Sequence, residues 1–129
     1  MQLLGGMTPD QLRARTDKFS IAIINYCKTL PADPFTRQIA LQLHRAGTSV
    51  ASNYHAACRA QTRALFISKL SIALEEADEC AGWLHKLAMT NQSEGLALSE
   101  LRQEAHELVA ILSASRRTAL SRSQGRPRR

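Results

Sequence analysis

Residues 42–84 read QLHRAGTSVASNYHAACRAQTRALFISKLSIALEEADECAGWL. The first half carries small residues (Ala46, Gly47, Ser49, Ala51, Ser52, Ala56, Ala57) where a solitary surface helix would carry large or charged ones. The second half repeats apolar residues at helical spacing and contains the acidic group Glu75, Glu76, Asp78 and Glu79. Only a short basic connector, Arg59-Ala60-Gln61-Thr62-Arg63, separates them. Small residues let backbones approach closely, so this stretch predicts a tightly packed helical hairpin.

The flanking sequence extends the pattern in both directions. Thr8-Pro9-Asp10-Gln11 is a helix start: Thr8 can cap, Pro9 needs no N–H at the first helical position, and Gln11 completes a capping box. Leu12, Thr16, Phe19, Ile23, Tyr26/Cys27 and Leu30 then step by four and three up to Pro31. Asp33-Pro34 repeats the start signal for a second helix with the seam Ile39, Leu43, Ala46, Val50, Asn53 and Ala57. Thr62 is the expected cap of a third, with the seam Phe66, Leu70, Ala73, Ala77, Cys80, Leu84 and Leu87. After a loop at 91–95, a last helix is expected from near Ser99, through Leu101, Ala105, Leu108, Leu112 and Ser115.

The expected fold is therefore all-α, an antiparallel up-down-up-down four-helix bundle over residues 8–115. Residues 1–7 read as a flexible leader and 116–129 as a disordered, arginine-rich tail. Leu65, Ile72 and Trp83 fall off the main seam of the third helix, surplus apolar surface that suggests self-association. Asn53, an amide on an apolar seam, is expected as a buried polar residue that fixes helix register.

Net charge is +6 over 129 residues, but six arginines (Arg116, Arg117, Arg122, Arg126, Arg128, Arg129) lie in the last fourteen residues. The other eleven basic residues balance the eleven acidic ones. Arg45, Arg59, Arg63 and Lys69 cluster around the hairpin connector, with Arg37 two turns before Arg45. Two readings stay open for them: a rim that tracks phosphates, or solvated charges paired with Glu75, Glu76 and Glu79. Arg116 and Arg117 can add to the rim. Without interleaved aromatics to stack bases, binding would be to the backbone and not sequence-specific.

Little points to catalysis or to a cofactor. His55 and Cys58 lie one helical turn apart, but a zinc site would need two more ligands from among Cys80, His85, His44 and His106, and no pair of these repeats that spacing. No Glu in the acidic group has a His three residues on, as a di-metal bundle would require. Gly-rich phosphate loops and a Gly-x-Ser-x-Gly elbow are absent. Cys27, Cys58 and Cys80 are odd in number and set in apolar patterns, which suits free thiols in a reduced, cytoplasmic protein. The opening residues do not form a signal peptide, and apolar runs fall short of the roughly 20 residues that span a bilayer.

The run QLHRAGTSVASNY (residues 42–54), followed by Cys58-Arg59-Ala60, by FISKLSIALEEA (66–77) and by Trp83-Leu84, resembles the 23S ribosomal RNA intervening-sequence family. The resemblance covers about residues 12 to 112. It implies an antiparallel four-helix bundle that assembles as a ring-like homopentamer, without established catalytic activity. The family is similar to the accessory variability determinant of diversity-generating retroelements, a basic pentamer that binds nucleic acid and a reverse transcriptase. Here His44 stands where many members have Arg, and Ala56 where an acidic residue is usual, so the hairpin is less polar than the family pattern. The expected function is a non-enzymatic, oligomeric module that contacts RNA or DNA through Arg37, Arg45, Arg59, Arg63, Lys69, Arg116 and Arg117. The alternative is a protein–protein adaptor that docks a polymerase or other nucleic-acid enzyme.

Overall fold

Four helices follow from four sets of local signals. The computed structural model describes residues 6–90 and 95–124, with α1 at Pro9–Cys27, α2 at Pro34–Cys58, α3 at Arg63–Thr90 and α4 at Leu96–Gln124. Among the described residues there is no strand. The leader up to residue 5, the loop at 91–94 and Arg126, Arg128 and Arg129 lie outside the described residues.

Each of the first three helices starts where its cap was expected. The Thr8 hydroxyl accepts from the Gln11 N–H at 3.1 Å while the Thr8 N–H donates to Gln11 Oε1 at 2.9 Å, a complete capping box. Asp33 accepts from the Thr36 N–H at 3.0 Å, and that bond holds its carboxyl below the usual range. Thr62 Oγ1 accepts from the Leu65 N–H at 3.1 Å.

The fourth helix departs from expectation at both ends. It begins three residues before Ser99 and runs through Arg116 and Arg117 to Gln124, so the fold does not stop at 115. The physical reason is that the seam continues: Leu108 and Leu112 are followed by Ala119, which is buried. Arginine is itself a good helix former, so a rise in arginine content does not end a helix.

The core is the set of seams laid face to face. Leu12, Thr16, Phe19 and Ile23 of α1 meet Leu43, Ala46 and Val50 of α2, Leu70, Cys80 and Leu84 of α3, and Leu98, Leu108 and Leu112 of α4, all essentially inaccessible. Tight seams join α1 to α2, α2 to α3 and α3 to α4. The diagonal pairs, α1 with α3 and α2 with α4, have no Cα atoms within 8 Å among the described residues. Contacts run in opposite senses along neighbours: Asp17, Ser20 and Cys27 of α1 meet His55, Gly47 and Ala40 of α2. Ser71 and His85 of α3 likewise meet Arg116 and Arg102 of α4.

Gly47 explains the small residues of the hairpin. The Ser20 hydroxyl donates to the Gly47 carbonyl at 2.6 Å, and a Cβ built on Gly47 would lie 2.8 Å from Ile23 Cγ2. The close neighbour of α2 at this level is thus α1.

The seam between α1 and α4 is the loosest of the four. It leaves an open groove of about 1070 Å³, floored by Phe19, Ala22 and Leu101. Arg15 crosses it, donating from Nε to Glu104 at 2.6 Å and from Nη2 to Glu107 at 2.6 Å. Glu107 also accepts from Gln103 at 2.8 Å, and these two partners, Gln103 first, hold its carboxyl below the usual range. A carboxyl lowered in the folded state contributes stability above its unfolded pKa, about 4.3, and loses it as pH falls through the folded value. Glu107→Gln is therefore expected to melt below the wild type at pH 7, with the gap closing as pH drops below about 4. Thermal melts from pH 7 to pH 3 check this, and a gap independent of pH would refute it.

Asn53 differs from expectation. It is half-buried, and its amide donates at 2.9 Å to both the carbonyl and the hydroxyl of Ser49, one turn back in its own helix. Its NH2 group thus bonds within its own helix and not to a neighbouring one.

Candidate nucleic-acid interface

The basic residues singled out from the sequence fall into three groups once folded. Arg37 stands alone near the start of α2, exposed and without a side-chain partner among the described residues. It is 22 residues from Arg59, roughly 33 Å along the helix axis. A single rim around the hairpin connector does not reach it.

Arg45 is committed to an ion-pair network between α2 and α3. Its Nη2 lies 2.7 Å from Glu79 Oε2 and its Nη1 3.4 Å from Glu76 Oε2. Glu79 also accepts from the Trp83 Nε1–H at 3.1 Å, and Lys86 Nζ lies 4.8 Å from the centre of the Trp83 ring. Glu76 and Glu79 push the Arg45 guanidinium further toward its charged form. Here the paired reading describes the residue. Glu75 forms no ion pair among the described residues.

The third group gathers at the end of the bundle where α2 turns into α3. Arg59 follows α2 directly, its backbone N–H closing the helix on the His55 and Ala56 carbonyls at 3.2 Å. Arg63 opens α3, and both side chains are exposed; Lys69, half-buried, comes next along α3. Arg116 reaches the same end from α4, donating from Nε to Ser71 Oγ at 2.7 Å. Ser71 is eight residues from Arg63, about 12 Å along the axis. Arg117 donates to Ser113 at 3.1 Å in its own helix, and Arg122, exposed, lies on the next turns of α4.

What marks this end is a set of cations that face no carboxylate. Arg59, Arg63, Lys69 and Arg116 have no carboxylate partner among the described residues. The two acidic residues of α1 at this end are already engaged. Asp10 pairs with Arg13, and Asp17 holds His55 Nε2 at 3.1 Å. Several cations held on three helices without a carboxylate in ion-pair range favour a positive potential there. Sequence reasoning placed Arg122 in a loose tail and passed over Ser71, whose only signal was a hydroxyl on an otherwise apolar face.

Two of the three thiols have little reactivity to offer. Burial, then Glu76 and Glu79, pushes the Cys80 thiol up to about 12, and burial also raises Cys27. Those two lie on α1 and α3, whose Cα atoms come no closer than 8 Å, too far for a disulfide. Cys58 is half-buried beside Tyr54, and the neighbouring His55 is engaged by Asp17. Among the described residues no group of three or more His, Cys, Asp or Glu could hold a metal ion, and no helix is long and apolar enough to cross a membrane.

The fold defines the class, an all-α protein whose described residues form four helices around one apolar core. A family model described as 23S rRNA-intervening sequence protein matches residues 11–114, and the chain belongs to that family. A crystal structure of a protein of unknown function from the S23 ribosomal protein family of Bacteroides thetaiotaomicron is similar, with 30% sequence identity and a TM-score of 0.78. The match covers 86% of this chain and 99% of that one. No curated protein matches the chain.

Proposed function

We propose that the protein is a non-enzymatic, homo-oligomeric module that holds the RNA or DNA backbone through Arg59, Arg63, Lys69, Arg116 and Arg117. The observation that carries this is the cluster of cations without carboxylate partners at the α2–α3 end. Arg45 and Arg37 leave the set, the first because Glu76 and Glu79 neutralise it, the second because of distance. The family name, which speaks of 23S rRNA intervening sequences, supports a nucleic-acid setting.

The same proposal takes the helices as antiparallel, up-down-up-down, and the assembly as a ring of five. The opposed contacts along α1 and α2 and along α3 and α4 support the first part. Ile21 at 59% and Leu41 at 63% exposure are large apolar side chains that a second copy would cover, which supports self-association, while the number five rests on the family resemblance alone. A ring would repeat the basic end around its axis and multiply weak phosphate contacts into avidity.

The test is a titration of the full chain against mixed-sequence single- and double-stranded RNA and DNA at several salt concentrations. The expected result is binding whose log affinity falls linearly with log salt, with little preference for sequence. No binding at low salt, where phosphate contacts are strongest, would sink the reading. The exposed Ile21 and Leu41 also favour a second reading, an adaptor that docks a partner protein such as a reverse transcriptase. It predicts a complex that survives nuclease treatment and high salt.

A further inference from the structure

Arg116 differs from the other cations of the basic end because its side chain is already oriented. The Ser71 hydroxyl donates its proton to the Ile67 carbonyl one turn back at 2.8 Å. Its oxygen is thereby left as an acceptor, and Arg116 Nε–H donates to it at 2.7 Å. The chain of bonds from Ile67 to Ser71 to Arg116 ties a guanidinium on α4 to the backbone of α3. Nε is the inner nitrogen of the guanidinium. Holding it fixes the plane of the group while the two Nη nitrogens have no partner among the described residues. Arg116 is half-buried, in contrast to the exposed Arg59 and Arg63.

A planar pair of N–H donors with a fixed direction matches two oxygens of one phosphate, a match that a lysine ammonium cannot make. Arg59 and Arg63, exposed and unanchored, carry charge without direction, and must lose rotamer freedom to bind. We propose that Arg116 is the bidentate seat for a single phosphate within the basic end, and that Ser71 is the positioning residue that holds it there. The inference rests on the reading of the basic end given above. It adds a geometric anchor to a contact otherwise made by charge alone, with lysine and arginine no longer interchangeable at position 116. The ligand is a phosphate with two free oxygens on one face, either an internal phosphodiester or a terminal phosphate.

The experiment compares wild type, Ser71→Ala and Arg116→Lys in salt titrations with a short RNA, made with a 5′-hydroxyl and with a 5′-phosphate. Both substitutions keep the net charge, so the slope of log affinity against log salt is expected to stay the same. The affinity itself is expected to drop about tenfold or more for each, the effect of one oriented, charge-assisted hydrogen bond. Equal losses on both RNAs place an internal phosphodiester in the seat. A loss confined to the 5′-phosphorylated RNA places a terminal phosphate there. Melting curves verify that both variants fold, and Arg116→Lys, which leaves Ser71 in place, covers a Ser71→Ala protein that does not. If wild type binds and both folded variants match it, the seat is overturned while the basic end stands. A wild type that binds neither RNA overturns both.

Discussion

Replacing Arg59, Arg63 and Lys69 together with alanine is expected to lower nucleic-acid affinity about a hundredfold or more near 0.1 M salt. The reasoning is electrostatic. Each cation that neutralises a phosphate releases condensed counterions, and losing it lowers the salt slope by about 0.7 to 0.9. Three lost contacts should flatten the slope by about 2 to 3. All three side chains lack carboxylate partners, so removing them leaves no buried charge behind and the fold should be little affected. Arg37→Ala is the matched control: equally basic and exposed, but at the other end of α2, it is expected to leave binding unchanged. A triple variant that binds with wild-type affinity and slope would show that the nucleic acid, if bound, contacts another surface. Filter binding or fluorescence anisotropy across 50 to 300 mM salt makes the comparison.

The second large effect is on stability. Gly47→Val is expected to destabilise the protein by about 3 kcal/mol, near the upper end for overpacking a well-filled core. A Cβ at this position already falls 2.8 Å from Ile23 Cγ2 and 3.1 Å from Ile23 Cβ and Cγ1. Those atoms belong to a fully buried, β-branched side chain with little rotamer freedom in a helix. The conflict can be relieved only by moving α1 away from α2, which stretches the 2.6 Å bond from Ser20 to the Gly47 carbonyl. Helix propensity favours valine over glycine by less than about 1 kcal/mol, so the packing term must exceed that gain. Pairing Gly47→Ala with Ile23→Ala separates the two terms. The double variant should be more stable than the sum of the singles allows, because removing the Ile23 side chain makes room for the new methyl group. Urea unfolding of the four proteins gives the coupling, and strict additivity would contradict the contact.

The parts of the fold that were legible in the sequence are those governed by near neighbours. Thr8 with Gln11, Asp33 with Thr36 and Thr62 with Leu65 are bonds across three residues, and each forms as the sequence indicates. The seams were readable because helical spacing places residues on a face without knowledge of the partner. What was not legible depends on where two helices meet. Arg45 and Arg59 look alike in the sequence, yet one faces Glu79 across the α2–α3 seam and the other faces no carboxylate. The bond from Arg116 to Ser71 spans 45 residues and leaves no local trace. Asn53 was misplaced for a subtler reason: its position lies at the margin of the seam, where the amide turns back to Ser49. The end of α4 was missed because charge was read as disorder, whereas Ala119 continues the apolar step.

The loose seam between α1 and α4 also bears on how the chain finds this arrangement. Every tightly packed pair joins helices that follow one another in sequence, while the one pair brought together from opposite ends of the chain is the least packed. Most of the native contacts can thus form without closing a long loop, and the entropy of such closure enters only at the last step. The topology belongs with the fast folders, in which local hairpins assemble first and little search is spent on distant partners. On this ordering Arg15 is a late latch. Its bonds to Glu104 and Glu107 close a loop of about ninety residues, and weakening them should speed the release of α1 more than it slows the approach of the other three helices.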